Sequence, residues 1–513
     1  MKTVALIASV MLALGLNAQL ERTGTPVSWN QQLSVPIANE WLGEANVVGL
    51  MAEDAADVED RSVPYRFAYA RPVSWSMQNS GSWVNLENGD RLWILGVAYS
   101  NAFSIALTLG HLQMPQGGKL YVYSDDRLDY MGPLTYDDNR QGELGLPHVR
   151  GERIYLEYYE PRNSRGEGQL EVTFVSGSYR APQTEAIPMQ SCALWHSDAP
   201  QAIREARVSS SLIRVLTDHG QRYATGVLLN NSLNNAEPFV LVPSEAIAGS
   251  VSSMVFQFGL DDMDCLLQNS GCPLQTICGA EVVTVDASSG LALLRLHKAP
   301  PAEWNAYYAG WAIENASEAT RYCLQHPKGL AKSYSKYQDS FIPVIQEEEI
   351  TMGLAGVGDG QSDAGSVGSP LLDGDWNVVG VFVGGNSRCS SEGGMDRFVL
   401  LEDVWLNFKA FLDPILGSAE RMPGMETPDL QPVFSETNQL VLYPNPASNF
   451  IQFAGTEDLS LLAVEIYDAL GRLRLQFQAA NKLDVSALED GIYSIKIITD
   501  SDIFTRSLLV TKK

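Results

Sequence analysis

Asp363-Ala-Gly-Ser-Val-Gly-Ser-Pro-Leu-Leu372 is followed by Val378-Val-Gly-Val-Phe-Val-Gly-Gly385. Two glycines make a tight turn around Ser366 and Val367. Ser369-Pro370 closes it, and an apolar strand leads to a Gly-Gly pair. Working outward, short apolar runs recur between turns: Gly226-Val-Leu-Leu-Asn230, Pro238-Phe-Val-Leu-Val242, Ser253-Met-Val-Phe-Gln-Phe258, Glu281-Val-Val-Thr-Val285 and Leu291-Ala-Leu-Leu-Arg-Leu296. Short strands at regular spacing, with no long helical pattern between them, predict a barrel or a sandwich.

The order of these pieces resembles the trypsin-like serine proteases, and within them the bacterial lysyl endopeptidases. The resembling residues are Thr225 to Asn231, Pro238 to Leu241, Leu291 to Leu296, Tyr308-Ala-Gly-Trp311, Gln325-His-Pro-Lys-Gly329 and Gly365 to Leu372. The resemblance implies a double β-barrel over 191–416 and locates three catalytic positions. Active enzymes read Gly-x-Ser-Gly-(Gly/Ser)-Pro at the nucleophile; here Val367 stands in place of the serine. The histidine segment is Phe239-Val-Leu-Val-Pro-Ser-Glu-Ala246, with Glu245 on the histidine. The aspartate segment is Ser289-Gly-Leu-Ala-Leu-Leu294, with Gly290 on the aspartate. The chemistry needs an attacking hydroxyl, an imidazole that takes its proton, and a carboxylate that fixes the tautomer. None of the three is present. The backbone at Gly365 and Val367 could survive as an oxyanion hole. Asp396 is the nearest candidate for the lysine-selecting aspartate, with a plain surface aspartate as its rival reading.

A displaced triad is the alternative. Ser366 and Ser369 flank the turn, but a shift of one or two residues re-aims the side chain. No histidine lies between residues 220 and 296; His219 falls before the first barrel strand, while His297 and His326 come late. A structural role in a His-Pro turn is expected for His326.

Six cysteines, 192, 265, 272, 278, 323 and 389, all lie in the middle third of the chain. An even number in an exported chain predicts disulfides, of which six cysteines allow 15 pairings. By resemblance, Cys192 and Cys389 join the start of this domain to its second barrel. Cys265, Cys272, Cys278 and Cys323 would then form two further bonds in an open pairing. A family disulfide beside the catalytic histidine falls on Ala224 and Ala246, both halves replaced together. With no Cys-x-x-Cys pair and no histidine cluster, no metal site and no cofactor is expected.

Residues 19–190 show period-2 runs such as Arg91-Leu-Trp-Ile-Leu-Gly-Val97, Lys119-Leu-Tyr-Val-Tyr123, Arg153-Ile-Tyr-Leu-Glu-Tyr-Tyr159 and Gln169-Leu-Glu-Val-Thr-Phe-Val175. Alternation rich in aromatic and β-branched residues predicts an antiparallel β-sandwich. This part resembles the propeptide-like domain that precedes the protease in secreted relatives. His111 and His148 are expected to be structural or exposed.

Residues 417–439 read as a linker rich in Pro, Glu, Ser and Thr. Beyond it come Leu442-Tyr-Pro-Asn-Pro-Ala-Ser448, Asp468-Ala-Leu-Gly-Arg472, Gly491-Ile-Tyr493 and a basic end at Lys512-Lys513. Residues 440–513 predict a small β-sandwich, and the four signatures in this order resemble the C-terminal sorting domain of type IX secretion. The resemblance implies the type IX machinery as a partner, and a secreted or outer-membrane-surface location.

Lys2, the apolar run Val4 to Leu16 and a site before Gln19 make residues 1–18 a secretory signal. No later run of about 18 apolar residues suggests a transmembrane segment. Formal net charge is −26, from 35 basic and 61 acidic residues. Such a surface repels phosphate backbones, so nucleic acid is not an expected partner. The sequence thus predicts an all-β chain: an N-terminal β-sandwich, a trypsin-like double β-barrel and a small C-terminal β-sandwich. Its expected function is that of a pseudo-protease with an unknown protein or glycan ligand. The alternatives are a divergent serine endopeptidase and a purely structural surface protein.

Overall fold

A computed structural model of the chain describes residues 24–512, apart from 31–36, 58–60, 140–141, 182–193, 196–207, 209, 261–274, 314–320, 338–340, 347–348, 356, 361, 388–393, 415–419 and 428–440, and 444–446, 455–460, 468–471, 479–481, 490, 500–502 and 511 in the last part. The expected signal segment lies outside the described residues. Two units separate, Met1–Asp429 and Leu430–Lys513.

The first unit opens with a β-sandwich. One sheet orders Asn39–Leu42, Arg91–Tyr99, Arg153–Glu160, Lys119–Ser124 and Tyr130–Leu134; the other orders Val149–Arg150, Ser104–Gln113, Gln169–Ser178 and Ala68–Ser76. Along Arg153–Glu160 buried and half-buried residues mostly alternate, because successive side chains leave opposite faces of a strand. Leu95, Val97, Leu107, Leu109, Leu156, Val172 and Val175 close the core between the sheets.

The next sheet is antiparallel and orders Gln275–Cys278, Val255–Phe258, Leu212–Thr217, Arg222–Leu229, Phe239–Pro243, Leu291–Leu296 and Ala280–Asp286. Tyr65–Arg66, from the N-terminal region, adds a strand by pairing with Arg222 and Tyr223. A second barrel sheet carries Ser333–Tyr337, Arg321–Gln325, Pro370–Leu372, Val378–Gly385 and Met395–Leu400 in that order. One core cluster joins the two: Val215, Ala224, Val240 and Leu294 from the first meet Cys323, Leu371, Phe382 and Phe398 from the second.

Leu401–Leu412 is an α-helix that buries Leu401, Val404, Trp405, Phe408 and Leu412. That spacing places all five on one face. Glu402 and Asp403 in its first turn and Lys409 in its last complement the helix dipole. Part of the expected linker is ordered instead. Arg421–Met422 pairs with Trp311–Ala312, and Met425–Glu426 pairs with Tyr307–Tyr308.

The second unit holds a three-stranded sheet, Val441–Tyr443, Phe450–Ala454 and Lys482–Asp484. It also holds a four-stranded one, ordered Leu473–Gln478, Leu461–Tyr467, Gly491–Thr499 and Ile503–Val510. Ile451, Val464, Ile466, Ile495, Ile497 and Leu508 form its core. Pro444 to Pro446 and Asp468 to Gly471 lie outside the described residues. Among the described residues, no helix is long and apolar enough to cross a membrane.

Candidate functional site

The turn at 364–369 is built by glycine. Gly365 has φ +89° and Gly368 φ +92°, backbone that L side chains rarely adopt. A Cβ on Gly368 would also overlap the carbonyl oxygen of Thr225. Both barrels hold the turn. Thr225 N–H donates to the Val367 carbonyl at 3.0 Å, and the Thr225 hydroxyl donates to the Gly365 carbonyl at 3.0 Å. From the other side, Gly368 N–H donates to Phe382 and Phe382 N–H to Ser369. Lys328 and Asp363 form an ion pair at 2.9 Å on its flank. Among the described residues nothing accepts from the N–H of Gly365 or Val367. At the apex Val367 is 1% exposed and belongs to the core cluster between the barrels.

The other two positions meet nearby. Ser244 N–H donates to the Gly290 carbonyl at 2.8 Å. A Cβ on Gly290 would lie 3.7 and 4.0 Å from the two carboxylate oxygens of Glu245. Pro243, two residues before Glu245, abuts Gly368. Glu245 is exposed, whereas Val367 is not. Gly290 holds φ +70°, so its backbone has left the extended form of the strand that follows. Asp286 does not take over. Its Oδ1 accepts from Ser288 and Ser289, its Oδ2 accepts from Asn407, and these hydrogen bonds outweigh burial and hold its carboxyl below the ordinary value. Ala224 and Ala246 are buried in the same core cluster.

Among the described residues, His326 and His219 do not assemble a substitute. His326 is fully buried; its Nδ1 donates to the Leu330 carbonyl at 2.8 Å, and its backbone N–H donates to Thr225 Oγ1. His219 stacks on Phe174 at 3.9 Å between ring centres. It sits in the hairpin after Leu212–Thr217, not before the first barrel strand as the sequence suggests. Ser366 and Ser369 are both fully buried.

Asp396 is not a surface residue: it is 0% exposed. Strand Met395–Leu400 points it beneath Gly385, whose missing Cβ would overlap the carboxylate. Tyr337 and Ser387 hydroxyls donate to its Oδ2, each at 2.7 Å. Ser362 Oγ donates to its Oδ1 at 2.9 Å and Ser387 N–H at 3.3 Å. Burial, and then the neighbouring Asp396 charge, push the Tyr337 hydroxyl well above its usual range.

Cys323 departs from the pairing expected of it. It is a free thiol, 0% exposed, set by strand Arg321–Gln325 into the core between the barrels, with no disulfide partner among the described residues. Burial first, then Asp396, push this thiol well up. Cys278 is buried and not bonded to it. Cys192, Cys265, Cys272 and Cys389 lie outside the described residues. No group of three or more metal-ligating side chains occurs among the described residues.

Sequence reasoning misses Arg61. Its Nη1 donates to the Ser362 carbonyl at 2.6 Å, to Ser362 Oγ at 3.2 Å and to the Ser387 carbonyl at 2.8 Å. No periodicity or motif marks a loop arginine 301 residues before its partner. A second concavity, about 470 Å³, lies on the sandwich between exposed Trp41 and Asp125, Asp126, Asp129, Arg150 and Arg153.

Residues 191–399 match the family described as lysyl endopeptidase, C-terminal domain. Residues 441–511 match the secretion system C-terminal sorting domain. A lysyl endopeptidase of Pseudomonas aeruginosa is 25% identical over 272 residues, which are 48% of this chain and 57% of the relative. The chain thus spans little more than half the length of the curated relative it matches. Among solved structures, a Mycobacterium tuberculosis mutant protein in an inactive form shares 17% identity over 40% of this chain and 88% of that one, with a TM-score of 0.29. The MamO protease domain of Magnetospirillum magneticum shares 12% over 39% and 96%, with a TM-score of 0.27. Scores at that level add nothing to the fold described above. The family matches agree with the sheets, the glycine turn and the tail: residues 191–399 carry a trypsin-like domain similar to the lysyl endopeptidase C-terminal domain, residues 441–511 carry a type IX sorting domain, and the chain is of the secreted or cell-surface kind.

Proposed function

We propose that this protein is a pseudo-protease, a trypsin-like shell that has lost hydrolysis and kept recognition. The observation that carries the reading is Val367. The turn keeps the backbone of a nucleophile loop, yet its apex is a buried valine, which has neither a lone pair nor a proton to lose. Glu245 beside Gly290 supports it, since a carboxylate facing a glycine can relay nothing to an imidazole that is absent. The free N–H groups of Gly365 and Val367 fit a surviving oxyanion hole, which alone is a poor catalyst. Export by the tail and a charge of −26 fit an extracellular partner, a protein or glycan, engaged through the cleft or through the sandwich concavity at Trp41.

Fluorophosphonate labelling of the purified secreted chain tests this, with casein and lysyl-ester hydrolysis measured alongside. The expected result is no label and no turnover above buffer. A stoichiometric label on a serine would instead establish a divergent endopeptidase, and the labelled peptide would name its nucleophile.

A further inference from the structure

We propose that the concavity on the outer face of the N-terminal sandwich binds a neutral, hydroxyl-rich sugar. A pyranose ring packs its C–H face on Trp41, and its hydroxyls meet Asp125, Asp126, Glu152 and Arg153. The inference deepens the recognition reading above by naming one surface and one ligand class. It rests on that reading for a binding role alone, and not on the state of the barrel cleft.

Strand register makes the hollow. Trp41 on Asn39–Leu42 pairs with Ala98, and Ala98 pairs with Arg153, so the three stand in one row across the sheet. Residues paired in register leave the same face. Val97 and Tyr99 belong to the sandwich core, which turns Ala98 outward. A single methyl between an indole and a guanidinium leaves a concavity of about 470 Å³, within the range of small-molecule sites. The turns at 124–129 and 150–152 wall it. Hydrogen bonds set these walls in advance. Asp126 Oδ1 accepts from Leu128 N–H at 3.0 Å, Asp129 Oδ2 from Arg150 N–H at 2.9 Å, and Asp125 Oδ1 from the Tyr155 hydroxyl at 2.9 Å. A ligand arriving there has little left to order.

The lining selects the ligand. Trp41 is 64% exposed, although tryptophan is highly buried on average. The Arg153 guanidinium stands 5.1 Å from its ring centre, a cation–π contact that fixes the indole. The negative face of such a ring attracts the partly positive C–H groups of a sugar. Asp125 Oδ2 and Asp126 Oδ2 accept no hydrogen bond from the described residues, and Arg153 Nε has no acceptor. Acceptors and donors are thus both spare around one aromatic platform. Four carboxylates (Asp125, Asp126, Asp129 and Glu152) face two guanidiniums (Arg150 and Arg153), which disfavours an anionic sugar. A cationic ligand is disfavoured at the ring, where Arg153 already sits. What fits is a neutral molecule that donates and accepts at once. A pyranose with equatorial hydroxyls does so and offers a flat C–H face.

The test is calorimetric titration of the full chain with cellotetraose and with chitotetraose, both neutral and both rich in equatorial substituents. At least one is expected to bind with a Kd of about 1 mM or tighter. Trp41→Ala should weaken it at least tenfold, Asp125→Asn several-fold, and Trp41→Phe, which keeps a ring, much less. Both side chains are exposed, so the melting temperature should not move. Added salt should leave the affinity unchanged, since no charge is neutralised on binding. No binding of either sugar would overturn the proposal, as would binding that Trp41→Ala leaves intact. Capture of tetralysine instead, weakened by salt and by Trp41→Ala, would overturn it in favour of a basic peptide. Should Trp41→Ala fail to fold, Trp41→Gln carries the same expectation. A fluorophosphonate label with sugar binding intact would overturn the pseudo-protease reading alone; no label and no sugar binding would overturn the sugar site alone.

Discussion

A single residue decides what the turn at 364–369 can do. Val367 puts its methyl groups into the core between the barrels, where dispersion and desolvation favour them. Serine at this position would remove both methyls and bury a hydroxyl. We expect Val367→Ser to lower stability by about 1–2 kcal/mol in urea unfolding and to gain no fluorophosphonate label. A label on Ser-substituted protein would mean that an unrecognised base reaches the apex. Gly290 deepens the loss: an aspartate restored there would have to hold φ near +70°. The glycine turn itself is legible in the sequence because Gly365 and Gly368 take backbone that other residues rarely adopt, and Thr225 and Phe382 hold that backbone whatever side chain stands at 367. The Asp396 cluster is legible only as a loose match. Its burial depends on Tyr337, Ser362 and Ser387 converging from three separate strands and loops, and its cap comes from Arg61 far upstream. Nothing local in the sequence encodes such convergence.

At the scale of elements, strands are read well where alternation meets a clear stop. The quoted run Leu291 to Leu296 is the observed strand, and Arg91 to Val97 falls short by two residues, at Tyr99. A reading tuned to strands passes over Leu401–Leu412, although Leu401, Val404, Trp405, Phe408 and Leu412 recur at helical spacing. Arg421–Met422 and Met425–Glu426 are strands only because Trp311 and Tyr307 offer them an edge, so their own composition carries no signal. His148 is the element-level case with a measurable consequence. Sandwich strand Ser104–Gln113 offers Ser104 Oγ to its Nδ1 at 2.9 Å, and its Nε2 donates to the Gly220 carbonyl of the barrel hairpin at 2.8 Å. Burial, with a smaller push from the Arg214 charge, lowers its pKa from the ordinary 6.5 to about 4. A lowered folded value means that the unfolded chain binds the proton first as pH falls. Stability is therefore full above pH 6.5 and declines between 6.5 and about 4. The ring keeps some solvent contact, so we expect about 2 kcal/mol of this loss to come from His148. Urea unfolding across that window should show a shallower decline in His148→Gln than in the wild type; parallel curves would remove His148 from the interface's pH response.

At the scale of the molecule, the sandwich and the barrels form one body where a propeptide-like domain would be expected to come away. Leu216, Val255, Cys278 and Ala364 of the barrels lie in the same core cluster as the sandwich interior. Phe67 stacks on Tyr223 at 4.0 Å, Tyr65–Arg66 is hydrogen-bonded into the first barrel sheet, and Lys298 pairs with Asp138 at 2.8 Å. Backbone meets backbone as well, since a Cβ on Gly145 would overlap the Ser253 carbonyl. On the proposed reading the barrel domain has no working nucleophile and cannot release its own N-terminal part, so the secreted species should retain it; mass spectrometry showing a start near Ser191 would mean that another protease acts or that the reading is wrong. Cutting by itself should not part them. A shared apolar core and a β-ladder survive one broken peptide bond, because neither depends on chain continuity between 182 and 207. A chain with a specific protease site engineered between the sandwich and the barrels and cut once is expected to give two bands on a denaturing gel that still co-elute in native size exclusion at neutral pH. Separate elution would mean that the joint core and the Tyr65–Arg66 ladder are too weak to hold the two parts together unaided.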